Sequence, residues 1–85
     1  MRIRQYRRLW EVRLCDDGTL DTVIEVGDVR GDYPTREFRF DGEYASYYRR
    51  ADGSLTLRGL RELGREAVSE YVEDEAEFAE GIAAF

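Results

Sequence analysis

The sequence predicts an α+β fold: a four-stranded antiparallel β-meander with a long C-terminal helix, whole or broken, packed on one face. Two runs between Arg8 and Val26 alternate apolar and polar residues at the period of a half-buried strand. Two further runs flank the turn dipeptide Asp41-Gly42. From Leu55 to Phe85 there is no proline, and apolar residues recur at helical spacing. At 85 residues the chain has the length of a single domain, 1–85, because separate cores form only in chains several times longer.

Taken in order, the first strand is expected from Arg8 to Leu14, with Trp10, Val12 and Leu14 facing inward. Asp16-Asp17-Gly18-Thr19 turns the chain. Leu20, Thr22, Ile24 and Val26 then form the inward set of a second strand, so the two runs read as a hairpin. Gly27 to Thr35 reads as a loop whose tip is Arg30-Gly31-Asp32, an adhesion triplet on some extracellular proteins but one that any loop of Arg, Gly and Asp produces easily. A third strand, Arg36 to Phe40, puts Phe38 and Phe40 on one face. After the Asp41-Gly42 turn a fourth strand runs from Glu43 to about Arg50, with either Tyr44, Ser46 and Tyr48 or Ala45, Tyr47 and Arg49 inward. Ser54 or Thr56 is the expected cap of the helix. On a helical wheel Leu60, Leu63, Ala67, Tyr71, Phe78, Ile82 and Phe85 share an arc of roughly 100°. Asp74 and Glu75 interrupt that arc, which marks a place for the helix to leave the sheet or bend back. Beyond it Phe78, Ile82 and Phe85 are candidates for burial on the same core, for self-association in a homodimer, or for docking on another protein.

The charge composition excludes more than it proposes. Thirteen arginines, no lysine and 19 acids give a net charge of −6, which argues against a general nucleic-acid coat. Histidine is absent and Cys15 is the one cysteine, so imidazole catalysis, a thiolate metal cluster and an intramolecular disulfide are all ruled out. No metal site and no cofactor site is expected. There is no glycine-rich phosphate loop and no nucleophile beside a base, and a core this small leaves little room for a pocket of ~300 Å³. Two aspartates follow Cys15, and negative charge blunts a thiol. The expected class is therefore non-enzymatic. A basic N-terminus without a following apolar run, and no apolar stretch of membrane-spanning length, point to a cytoplasmic protein without a membrane partner.

What remains is the layout of charge. Glu62, Glu66, Glu70, Glu73, Glu77 and Glu80 fall on one arc about 80° wide, an acidic edge that repels itself along the helix. Amphipathic helices also place glutamate on the wet side simply because it is a good helix former. As a functional surface, the row offers a basic groove the charge repeat of a nucleic-acid backbone. The expected partner is then a protein with a basic surface, and the chain an inhibitor of a nucleic-acid-binding machine. Phage and other mobile elements encode small acidic domains of this anti-CRISPR-like kind, an analogy of size and charge only. The alternative is a nucleic-acid-binding or regulatory module that uses Arg13, Arg39, Tyr47 and Arg49 on the sheet face away from the helix, where arginine clamps phosphates and tyrosine stacks bases. Acids interleaved on that face lower its potential and argue against direct nucleic-acid binding.

Overall fold

No glycine, asparagine or aspartate marks the first turn of the chain, yet Tyr6 and Arg7 make it, both with positive φ (55° and 59°). In this computed structural model, which describes residues 1–15 and 18–78 and side chains as far as residue 75, they join β1 (Arg2–Gln5) to β2 (Arg8–Cys15) as a two-residue hairpin. β3 (Thr22–Asp28) and β4 (Arg36–Phe40) complete an antiparallel sheet of order β1-β2-β3-β4. α1 (Gly42–Ala45), a 3₁₀ turn (Ser46–Tyr48) and α2 (Leu57–Phe78) follow.

The expected four strands and helix are present, but the fourth strand is not the one the alternation at 43–50 suggested. Asp41 has φ −52° and ψ 137°, so it does not make a primed hairpin turn, and its carboxylate accepts from Glu43 N–H at 2.8 Å as a helix cap. Gly42 is required for another reason: a Cβ there would stand 2.5 Å from the Leu20 carbonyl oxygen. The chain then coils so that Ala45 is fully buried, and the place of the expected fourth strand is taken at the other edge by β1.

Ile3, Trp10, Val12, Ile24, Val26 and Phe38 form the inner face and meet Leu63, Ala67, Val68, Tyr71 and Val72 of α2. Trp10 lies 5.4 Å and Phe38 5.9 Å from the Tyr71 ring, and the Tyr71 hydroxyl donates to the Pro34 carbonyl. Leu14 (43% exposed) and Leu20 (91%) were expected inward but extend past the end of this core. Thr56 caps α2, its hydroxyl accepting from Gly59 N–H at 2.9 Å, whereas Ser54 is bonded to Asp52. The helix runs unbroken through Asp74 and Glu75 to Phe78. The two acids that interrupt the apolar arc are met there by Arg36 of β4, at 3.1 and 3.9 Å.

β3 also runs further than the pattern implied, taking in Gly27 and Asp28 from the expected loop. The Asp28 carboxylate is buried, 2.7 Å from Arg8 Nη1, and accepts from the N–H groups of Arg30 and Asp32 at 3.0 Å. Asp32 is itself 2.9 Å from Arg8, so the Arg30-Gly31-Asp32 triplet is part of a closed turn.

Candidate functional site

α2 carries the acidic edge, and its members differ in what surrounds them. Glu62 is 3.0 Å from Arg58 Nε, and the Tyr48 hydroxyl is close enough to act on its carboxylate. Both contacts hold its carboxyl below the ordinary carboxylate value, Arg58 more strongly. The Tyr44 hydroxyl donates to both oxygens of Glu66, at 2.9 and 3.0 Å, and this bond raises the phenol's pKa. Tyr48 is raised in the same way by Glu62. Glu70 and Glu73 are exposed, with no cation at ion-pair distance among the described residues. Glu66, Glu70 and Glu73 border one open groove with Phe40, Ser69, Asp74 and Arg65. The edge is thus pinned by tyrosines and an arginine at its first two members and bare at the next two. Glu77 and Glu80 lie outside the described side chains, as do the self-association candidates Phe78, Ile82 and Phe85. Tyr44 and Tyr48 were missed as partners of the edge, because a strand over 43–50 would have sent them elsewhere.

The alternative surface does not assemble. Arg13 and Arg39 are on the outer face of the sheet, where Arg13 is 3.3 Å from Glu25 and Arg39 is 3.3 Å from Asp21. Tyr47 and Arg49 belong to the coiled segment after β4 and not to a strand. Arg49 is spent on Thr22 Oγ1 at 2.7 Å and the Gly53 carbonyl at 2.6 Å, while Tyr47 is exposed beside Tyr48. The base-stacking platform expected of four residues on one face is absent because its strand is absent.

Strand register creates two features that composition hid. Arg13, Glu25 and Glu37 stand opposite one another across β2, β3 and β4, and the Cys15 thiol sits diagonally beside them. Cys15, Glu25 and Glu37 bring ligand-type atoms within 4.8 Å of one another, so these three side chains are what a metal ion on this face would meet. Burial, then the charges of Glu25 and Glu37, push the thiol pKa up, which keeps it a poor nucleophile. The second feature is a cleft of about 540 Å³ between the β2–β3 end and the 49–55 segment, lined by Leu14, Leu20, Leu55, Asp21 and Arg49. It is larger than the size of the chain suggested, because Leu14 and Leu20 overhang the core and do not fill it. Its wall also holds Cys15, whose thiol donates to Glu25 Oε2 at 3.9 Å and has its pKa raised.

No protein-family model matches the chain, and no curated protein or solved structure matches it significantly. No helix among the described residues is long and apolar enough to cross a membrane.

Proposed function

We propose that this is a non-enzymatic binding protein that engages a basic protein surface through the acidic edge of α2, in the manner of a nucleic-acid mimic. A mobile-element inhibitor of a nuclease or similar machine is the role that suits such a surface. The observation that carries this proposal is the run Glu66, Glu70 and Glu73, three exposed carboxylates on one rigid helix. Their axial spacing is about 6 and 4.5 Å, wider than the ~3.4 Å of axis per charge in one nucleic-acid strand, so they offer a sparser line of the same sign. Their mutual repulsion, a few tenths of a kcal/mol per pair, is small against the packing of α2, so the fold tolerates a surface that its helix alone would not favour.

The test uses a partner captured from the source cell by the wild-type chain and then titrated directly. Replacing Glu66, Glu70 and Glu73 together by Gln is expected to weaken binding about tenfold or more and to remove most of its salt dependence, and nucleic acid should compete with the wild type. The chain itself should not be retained on heparin or single-stranded nucleic acid at low salt. Unchanged affinity in the triple variant would sink the proposal.

A further inference from the structure

We infer that β4 is a self-pairing edge and that two copies of this chain associate by antiparallel pairing of β4 with β4, extending the sheet across a two-fold axis. β4 is the last strand of the sheet, so its outer side is a template for a further strand. Its five residues read Arg-Glu-Phe-Arg-Phe, with Arg36, Phe38 and Phe40 on the inner face and Glu37 and Arg39 on the outer. For two copies related by an axis perpendicular to the sheet, matching faces require the paired residue numbers to differ by an even number. One such register engages all five residues, and it is centred on Phe38. Glu37 then lies opposite Arg39 of the second copy, and by symmetry this ion pair forms twice. Arg36 lies opposite Phe40 of the second copy, an arginine-on-ring contact of the kind it already makes with Phe38 at 5.2 Å and Tyr71 at 5.0 Å.

The isolated chain leaves a charge on this strand unmet. Glu37 is exposed and stands directly opposite Glu25 on β3. Arg13 serves Glu25 at 3.3 Å, and among the described residues no cation lies at ion-pair distance from Glu37. Like charges directly opposite one another are unfavourable on a sheet, so a cation arriving from the outer side of β4 relieves a cost already present. Arg39 is already engaged, with Asp21 and Thr19 Oγ1 each at 3.3 Å among its partners, and its fork of five N–H donors lets it bridge to a further carboxylate without giving these up. The opposite edge has no such complementarity. Pairing β1 with itself sets Arg2 against Arg4 or Arg4 against Arg4, so that edge is guarded by repulsion.

This association uses β4 and not the acidic edge of α2, so it stands or falls separately from the proposed function. It is tested by sedimentation or light scattering of the full chain from about 1 to 500 µM. The wild type is expected to show a reversible monomer–dimer equilibrium. Glu37→Arg, which also ends the repulsion with Glu25 and so should not lower the melting temperature, is expected to weaken the dimer about tenfold or more. Arg39→Glu should do the same, and the double charge reversal should restore association. A wild type that stays monomeric throughout, a dimer indifferent to both single changes, or a double variant that fails to recover would each overturn the pairing.

Discussion

Tyr6 and Arg7 hold a left-handed turn that glycine or asparagine would make at lower cost, and they hold it because both flanking strands are anchored. Gln5 donates to Ser69 at 2.8 Å, and Tyr6 reaches the same hydroxyl at 3.2 Å, so the turn is tied to α2. Three other tyrosines connect structure to pH. Tyr44 and Tyr48 are raised above the ordinary value of 10.0 by the glutamates they bond, and Tyr71 chiefly by burial. A phenol whose pKa is higher folded than unfolded contributes stability below its unfolded pKa and loses it as pH rises through the folded one. Stability should therefore decline in the alkaline range above about pH 10. Absorbance titration of the phenolates should show a late fraction that shrinks in Tyr44→Phe and in Tyr71→Phe. Glu62, held below its ordinary 4.5, acts in the opposite sense, its contribution being lost as pH falls through its folded pKa.

At the level of elements, α2 approaches the sheet closely at Gly64, where a Cβ would stand 2.9 Å from Ile3 Cδ1 and 3.1 Å from Val12 Cγ2. Two effects oppose one another in Gly64→Ala. Helix propensity favours alanine by ~1 kcal/mol, while overpacking a filled core costs ~1–3 kcal/mol. The second should win, with a net loss of about 1 kcal/mol in denaturant unfolding, and a gain in stability would show that Ile3 moves aside freely. The α2 stripe was legible because a helix repeats its inward face every three to four residues whatever it packs on. The segment 43–50 was not, because its alternation of tyrosine with small or charged residues fits a strand and a capped coil equally well. Asp41-Gly42, a hairpin signal by type, serves here as a cap and a close contact with Leu20.

For the molecule as a whole, one core joins sheet and helix, with Trp10 and Leu63 among its largest fully buried side chains. Truncating either to alanine should cost about 3 kcal/mol or more by leaving a cavity. A domain of this length has roughly 4–13 kcal/mol in total, so either change should lower the melting temperature steeply. A melt that barely moves for both would place the core elsewhere.

The sequence by itself determined the α+β class, the central β2–β3 hairpin, the inward faces around Trp10, Val12, Ile24 and Val26, and the acidic arc of α2, all of which follow from local periodicity. It could not determine which segment completes the sheet, because β1 has no turn signature and owes its place to contacts with Ser69 and Arg65, sixty or more residues away, within reach of Gln5 and Tyr6. Nor could it show that Glu37 faces Glu25, that Tyr44 and Tyr48 hold Glu66 and Glu62, or that Arg49 is turned away from the sheet's outer face. Those are meetings between elements. Only tertiary packing decides them, because the partner of a side chain across a sheet or on a helix is set by register and docking, which no local repeat encodes.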